Sequence, residues 1–285
     1  MEGNLFNKTI NRSVQYTRGQ IEKMGIAVVL VVIALVILAL IVVYLLLKIR
    51  RVTTLGSLIV GSPLQLYNMS NQAVVADDKI PKAINGQEFS FSFWLYIVNL
   101  NQTNGPQLIF LRGGDGKTLA NGNPIVALDG KTNQMYISVK TNKSGTATST
   151  NFYQPRESKY LTATINYVPL QRWIQVVGVV KDSLLSVYMN SSLYVVSDVS
   201  DIMVADPSLL SRPVFSQSTG NVYVGGQGFT SVDSPMAYIA NFNFYNYAIS
   251  SQMISSQYQA GPSSTTFLNK IGLSGYGFRS PIYKT

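Results

Sequence analysis

The sequence of 285 residues contains no cysteine and no histidine. Without cysteine, disulfide-stapled scaffolds and thiol enzymes are excluded, and without histidine the usual general base and the commonest zinc ligand are missing. Charged residues are also scarce, at 12%, whereas hydrophobic residues make up 46%. This composition is neither that of a disordered chain nor that of a collagen, and it removes most histidine- or cysteine-dependent enzyme families.

One long apolar segment stands near the amino terminus. Residues 25–47 are 23 consecutive residues without a charge, and as a helix they would span about 34 Å, enough to cross a bilayer. Lys23 precedes the segment and Lys48, Arg50 and Arg51 follow it, as is typical where basic side chains reach lipid headgroups. A signal peptide would have a shorter apolar run of ~7 to 15 residues. We therefore expect an uncleaved transmembrane helix rather than a buried helix of a soluble protein.

The net charge of +9 is concentrated beside this segment. Residues 1–51 hold seven basic and two acidic residues, which gives +5 and suits contact with anionic lipid. Residues 52–285 carry 15 basic and 11 acidic residues, interspersed and without a basic run. Nucleic acid is therefore not an expected partner. Four basic residues before the apolar segment and three after it leave the membrane orientation open.

The remainder of the chain has the pattern of β-strands. Residues 88–98 (EFSFSFWLYIV) alternate between large apolar residues on one face and serine, tryptophan and tyrosine on the other. Because the second face becomes aromatic after the serines, we expect that half of the strand to be covered on both sides. One late helix is predicted over residues 250–258. Further strands are predicted over residues 107–111, 124–128, 134–140, 161–167, 173–181, 184–189, 193–196, 221–225 and 237–245.

These strands, separated by short polar or glycine-containing turns, predict an all-β fold, an antiparallel two-sheet jelly-roll sandwich. Four segments in order also resemble the concanavalin A-like lectin/glucanase superfamily, in its laminin-G-like and pentraxin-like branch. The resemblance covers about residues 73–261, and a segment at Ile80-Pro81 is similar to the family's opening strand. The four segments are 89–96 (FSFSFWLY), 173–190 (WIQVVGVVKDSLLSVYMN), 222–226 (VYVGG) and 237–258 (AYIANFNFYNYAISSQMISSQY).

The resemblance suggests two kinds of site, calcium and carbohydrate, and the residues favour neither strongly. Calcium sites need clustered carboxylates, but no acidic residue lies in a ligand-spaced motif. Calcium binding is therefore unsupported by any motif, and no cofactor is expected. We interpret Asp115, Asp129, Asp198, Asp201 and Asp233 as turn and loop residues. Trp94 and Trp173 occupy positions that the family buries, so we predict that they belong to the core rather than to a sugar platform.

Catalysis is not predicted. Retaining glycoside hydrolysis needs two carboxyl groups ~5 to 5.5 Å apart, which the family's enzymes supply as Glu-x-Asp-x-x-Glu. The only glutamates here are Glu2, Glu22, Glu88 and Glu157, and none lies in such a motif. The sequence therefore predicts a protein that is not an enzyme.

Residues 262–285 contain no acidic residue and many apolar ones. Glycine and proline interrupt residues 272–281 and oppose a helix. A solvated tail is one interpretation, and an arm that docks onto the domain or onto a neighbour is an equal alternative, because the segment has many apolar residues for a solvated tail. The predicted docking residues are Phe267, Leu268, Ile271, Tyr276, Phe278 and Tyr283.

The predicted organisation is a basic tail (1–24), a transmembrane helix (25–47), a linker (48–72), the concanavalin A-like jelly-roll domain (73–261) and the arm (262–285). We interpret the chain as a non-enzymatic, single-pass membrane-anchored structural or interaction protein. The resemblance extends to minor virion proteins of large DNA viruses, which implies a link between a virion's inner membrane and its capsid shell. The expected partners are then the lipid bilayer and protein neighbours such as capsid proteins. The alternative is a carbohydrate-binding membrane lectin, whose partner is a glycan.

The anchor prediction can be tested by replacing Ile37 with arginine. The substitution should raise the free energy of membrane insertion by about 2.5 to 3.5 kcal/mol, because a guanidinium would lie at the centre of the helix. We expect the wild-type chain to stay with membranes during alkaline carbonate extraction and Ile37→Arg to be partly released. Complete release of the wild-type chain would show that residues 25–47 do not span a bilayer.

Overall fold

The computed structural model describes residues 31–44, 56–66, 72–82, 87–100, 105–226 and 237–262. The chain divides into two units, residues 1–54 and 55–285. In the first unit, residues 31–44 form a helix, α1, whose apolar side chains are exposed. Among the helices in these described ranges, none has both the length and the apolar character for a membrane crossing. The transmembrane helix over residues 25–47, of which α1 is a part, stays a prediction.

The second unit is built almost entirely of strands. Between them lie one 3-10 turn, Asp77–Lys79, and the helices α2 (Pro155–Ser158), α3 (Ser200–Ala205) and α4 (Ser251–Ala260). The strands are β1 (Gly56–Val60), β2 (Leu64–Gln65), β3 (Ala73–Val75), β4 (Phe89–Ile97), β5 (Gln107–Arg112), β6 (Ile125–Leu128), β7 (Met135–Val139), β8 (Leu161–Ile165), β9 (Trp173–Lys181), β10 (Leu184–Met189), β11 (Ser192–Asp198), β12 (Val222–Val224) and β13 (Ala237–Tyr245).

These strands form two antiparallel sheets. The first sheet has the order β1-β13-β4-β9-β10-β11, with β2 also paired to β13, and the second has the order β3-β12-β5-β6-β7-β8. The all-β, two-sheet prediction is therefore confirmed. Every strand predicted between residues 88 and 245 is present, and β9, β10 and β13 have the predicted bounds.

Strand β4 forms the centre of the first sheet, and all nine of its residues are buried. Its phenylalanine side faces the second sheet, where the ring centroids of Phe93 and Phe110 lie 5.6 Å apart and those of Phe110 and Phe242 lie 4.4 Å apart. These contacts belong to one apolar core that lines the space between the sheets. The period-two alternation of the sequence thus places one apolar row of β4 inside the sandwich.

The other face of β4 is covered by helix α4. The hydroxyl of Ser250 accepts a hydrogen bond from the backbone N–H of Met253 and so caps the amino end of this helix. Near the other end, the ring of Tyr258 stacks on Trp94 with centroids 5.6 Å apart. Burial of the aromatic half of this face is as the sequence predicted, and the structure shows that Ser90 and Ser92 are buried as well.

Three features of the domain differ from the expectations. The predicted linker, residues 48–72, contains β1 and β2, which pair with β13. The first strand of the second sheet is Ala73–Val75, so the segment at Ile80-Pro81 follows the opening strand rather than forming it. Trp94 is buried as predicted, whereas Trp173, the first residue of β9, is partly exposed.

Gly178 in β9 allows the close approach of an aromatic ring. A β-carbon placed at this residue would lie 2.3 Å from Cζ of Phe91. No ordinary contact is that short, so the ring of Phe91 occupies the space that a larger residue would need. Glycine is therefore required at this point of a strand that otherwise consists mainly of valine and isoleucine.

The core assignment predicts the effect of replacing Phe242 with alanine. Phe242 is fully buried among other aromatic rings, so the substitution should lower the free energy of unfolding by about 3 to 5 kcal/mol. The measurement is chemical denaturation of the full chain in mild detergent, followed by tryptophan fluorescence. Val74→Ala, at a side chain that is 53% exposed, is the control and should change stability by less than about 0.5 kcal/mol. Equal effects of the two substitutions would contradict the assignment.

Candidate functional site

The residues that the sequence singled out for function lie outside the described residues. They are Lys23, Lys48, Arg50 and Arg51 beside the predicted anchor, and Phe267, Leu268, Ile271, Tyr276, Phe278 and Tyr283 in the predicted arm. Their roles stay predictions. The candidate sites that the structure does describe are an ion pair with a buried arginine and an exposed apolar strip.

Four of the five aspartates considered as calcium ligands can be placed. Asp115 and Asp129 each accept hydrogen bonds from backbone N–H groups two and three residues further along the chain. Hydrogen bonds from Ser200, followed by the guanidinium of Arg212, hold the pKa of Asp198 at about 2. These carboxylates stabilise local turns. Within the described ranges, which exclude Asp233, no three histidine, cysteine, aspartate or glutamate side chains form a group that could hold a metal ion.

The ion pair joins the buried Arg112 at the end of β5 to Asp77 in the 3-10 turn, whose side chain is partly exposed. Nη2 of Arg112 lies 3.0 Å from Oδ1 of Asp77, which also accepts a hydrogen bond of 3.0 Å from the backbone N–H of Gly220. Nε of Arg112 donates to the carbonyl of Gly220 at 3.2 Å, and the guanidinium lies 4.6 Å from the ring centroid of Phe244. Burial lowers the pKa of Arg112, and the hydrogen bond and charge of Asp77 act in the opposite direction.

A small cavity lies beside this pair. Asn246 is one of the residues around it and donates from Nδ2 to the carbonyl of Lys82 at 2.7 Å, which orients the amide. Oδ1 of Asn246 is buried and has no hydrogen-bond partner among the described residues. The cavity has a volume of about 10 Å³, which is room for about one water molecule. The arrangement therefore ties β5, the 3-10 turn and the start of β12 together and has no space for a larger ligand.

The exposed apolar strip lies at the edge of the first sheet that β11 forms. We call Leu184, Leu193, Tyr194 and Val196 the β11 strip; each is between 38% and 55% exposed. In the strand register, Leu193 lies opposite Tyr188 and Val196 lies opposite Ser186. Because Tyr188 and Ser186 pair in turn with Val177 and Val179, which contact α4, Leu193 and Val196 point to the same face of the sheet as α4.

Strand β11 is also an open edge in the part of the chain that the structure describes. It pairs only with β10 there, and its residues from Ser192 to Ser197 carry no charge. Sheet edges in natural proteins are usually protected by charged residues, proline or a covering segment. An uncharged, apolar edge is thus a surface on which another segment can bind.

Comparison with known proteins places the fold in a family. The sequence matches a laminin G-type family model of the concanavalin A-like lectin/glucanases superfamily over residues 68–255. The chain belongs to this superfamily. The predicted resemblance is therefore confirmed. Members of such a superfamily share the sandwich fold but differ in function. No curated protein matches the sequence.

Solved structures give the same fold. The concanavalin A-like chain is similar to the receptor binding domain of botulinum neurotoxin D, with 14% identity and a TM-score of 0.50 over 72% of this chain and 48% of that one. It is also similar to the botulinum neurotoxin serotype D ligand binding domain in complex with N-acetylneuraminic acid, with 15% identity and a TM-score of 0.51 over 72% and 46%. The chain thus spans less than half the length of these proteins, and at this identity the likeness shows the fold alone.

The ion pair can be tested with a double-mutant cycle of Arg112→Met and Asp77→Asn. The two substitutions should be coupled by about 0.5 to 3 kcal/mol of unfolding free energy, because each leaves the other partner without its charge complement. The matched control is the surface pair Arg212 and Asp198, whose arginine side chain is 55% exposed; its coupling should stay below about 1 kcal/mol. Additive effects at Arg112 and Asp77 would show that the pair does not tie these elements together.

Proposed function

We propose that the chain is a non-enzymatic, membrane-anchored interaction protein whose sandwich contacts protein neighbours through the β11 strip. The more specific form of this proposal is a minor virion protein that links the inner membrane of a virion to its capsid shell. The observation that carries the protein-contact role is the strip itself: Leu193, Tyr194 and Val196 are exposed along the uncharged residues 192–197 of β11, and the exposed Leu184 lies in the neighbouring strand β10.

The rest of the described domain supports a contact role rather than a chemical one. The charged groups that are buried or bonded serve the fold: Arg112 pairs with Asp77, Lys159 with Asp206, and Arg212 with Asp198. The cavity beside Arg112 has room for about one water molecule. The surface is then the part of the domain that is free to recognise a partner.

The membrane part of the proposal rests on the sequence. Residues 25–47 have the length and flanking basic residues of a transmembrane helix. The virion setting rests on the family resemblance, which is an argument from fold and composition. Such a setting would place the strip where capsid proteins are the neighbours.

A carbohydrate-binding lectin is the second candidate function. Tyr167, which follows β8, is 59% exposed and offers the flat aromatic face on which sugars stack. The backbone N–H of Asn166, the residue before Tyr167, donates a hydrogen bond to the hydroxyl of Tyr194 at 3.1 Å. Tyr167 therefore lies beside the strip. The family and the sialic acid complex of a structural neighbour make a glycan a reasonable ligand to test.

Partner recovery from the native source tests the contact role. Leu193→Glu combined with Val196→Glu places two carboxylates on the strip and should reduce recovery of protein partners with the full-length chain at least about tenfold, the effect of 1.4 kcal/mol. Val74→Glu, at an exposed apolar residue on the other sheet, is the control and should leave recovery unchanged. Undiminished recovery with the double variant would contradict the proposal.

A glycan array separates the two candidate functions. The full-length chain in detergent should bind no glycan above background if the strip serves protein contact. Binding that is lost in Tyr167→Ala and kept in the double glutamate variant would favour the lectin.

A further inference from the structure

We propose that one end of the sandwich contacts the surface of a lipid bilayer through Val204 and Leu210, two exposed apolar residues that follow β11. We call this the β1 end, because β1 begins there. The inference rests on the membrane anchor of the proposed function, and it adds a lipid contact that the folded domain makes itself. The strand register, the packing of residues 199–214 and the short connection to the predicted anchor support it.

The strand register places the beginning of β1 and the end of β11 at the same end of the first sheet. One row of paired residues near that end crosses six strands of this sheet, from β1 to β11. The row consists of Gly56, Tyr245, Ser90, Val179, Ser186 and Val196. Gly56 is the first residue of β1, and β11 ends two residues after Val196, at Asp198. Helix α3 and the loop after it therefore begin at the end where the chain enters the sandwich.

The segment that follows β11 packs against the sandwich on one side and exposes apolar residues on the other. Val199 and Ile202 are buried in the core between the sheets, and Leu209 packs against the same core. Val204, in α3, is 80% exposed, and Leu210 is fully exposed. Neither of these two side chains belongs to the core, so the apolar surface of both is left for a partner outside the domain.

Hydrogen bonds to residues that flank β7 and β8 hold this segment in place. The amino group of Lys159, before β8, donates to the carboxylate of Asp206, directly after α3. The backbone N–H of Val214 donates to Oδ1 of Asn142 at 3.1 Å, and the N–H of Asn142 donates to the carbonyl of Val214 at 2.9 Å. The side chain of Val214 is itself about half exposed. A segment that is already ordered loses little conformational entropy on binding, which favours a contact of small area.

The connection to the predicted anchor limits the distance between the β1 end and the bilayer. Eight residues, 48–55, lie between the apolar segment and Gly56, and a chain of that number spans at most about 29 Å in any conformation. The nine residues of β4 extend about 30 Å along the sheet, so the opposite end lies further from Gly56 by about that length. The connection therefore restricts the β1 end to the neighbourhood of the lipid more closely than the opposite end. A tethered surface also needs only a weak contact, because the tether keeps its effective concentration in the millimolar range.

Charges beside the segment are balanced, so the contact is apolar in character. Apart from the pair of Lys159 and Asp206, the segment and the adjoining residues 142–143, α2 and the turn after β9 carry as many cations as carboxylates. These charged residues are Lys143, Arg156, Lys181 and Arg212, and Glu157, Asp182, Asp198 and Asp201. We therefore expect the same contact with neutral and with anionic lipid, unlike the binding of a strongly basic surface.

Fluorescence quenching by a spin-labelled lipid tests the contact, because the chain has no cysteine and a single introduced one can carry a dye. Full-length chains with Val204→Cys or Leu210→Cys would be labelled and reconstituted into phosphatidylcholine vesicles with and without a nitroxide-labelled phosphatidylcholine. Because these side chains should enter the outer ~5 to 10 Å of the bilayer, the lipid should quench both dyes several-fold more than dyes at Leu193→Cys and Tyr167→Cys. The two control residues are each more than half exposed and lie at the opposite end of the sandwich.

A variant with added charge gives a second readout. Val204→Glu combined with Leu210→Glu, read through a dye at Val214→Cys, should reduce quenching to the level of the control residues, since a carboxylate stays in water. Leu170→Glu, at an exposed residue of the opposite end, is the matched control and should leave the quenching of the same dye unchanged. Replacing part of the phosphatidylcholine with phosphatidylserine should also leave it unchanged.

The outcomes separate this inference from the proposed function. If the labelled chains float with the vesicles but the dyes at Val204→Cys and Leu210→Cys are quenched no more than the controls, the lipid contact is wrong and the anchor stands. Undiminished quenching in the double glutamate variant, or quenching that requires anionic lipid, would also overturn the contact. Chains that do not float with the vesicles would overturn both the anchor and the contact, whereas partner recovery measures the protein contact separately.

Discussion

Strand β4 has to be covered on both of its faces, and the other elements of the sandwich are arranged around that requirement. One face carries phenylalanine rings that meet the second sheet. The opposite face, with its serines, Trp94 and Tyr96, would be exposed to solvent without helix α4. The hydroxyl of Ser90 bonds to the backbone of both Tyr247 and Ile249. A serine in a central strand of the first sheet thus fixes the turn that brings α4 back over the strand.

The fold could be predicted where the pattern is local. Alternation of apolar residues gave the bounds of β9, β10 and β13, and the aromatic second face of β4 indicated its double burial. Strands β1 and β2 were missed because they are short and weakly alternating, and their partner β13 lies far along the sequence. The pair of Arg112 and Asp77 was missed for a similar reason, since 35 residues separate its members and no motif joins them.

The candidate site was harder to predict than the fold because it depends on what the fold leaves uncovered. The sequence identified residues 193–196 as a strand, but not that the strand would end a sheet with Leu193 and Val196 exposed. Exposure at a sheet edge is a property of strand order, which alternation alone does not give. Within the described residues, the cavity beside Arg112 has room for about one water molecule and Arg112 is paired with Asp77.

The position of β13 has a consequence for synthesis of the chain. This strand lies between β1 and β4, although it comes near the end of the sandwich in sequence, and the contact between Ser90 and Tyr247 spans 157 residues. As the ribosome extends the chain, β1 and β4 therefore cannot pair with β13 until almost the whole domain has emerged. Contacts of such long range make folding slow. The edge of β4 that pairs with β13 then stays without its partner strand until late in translation.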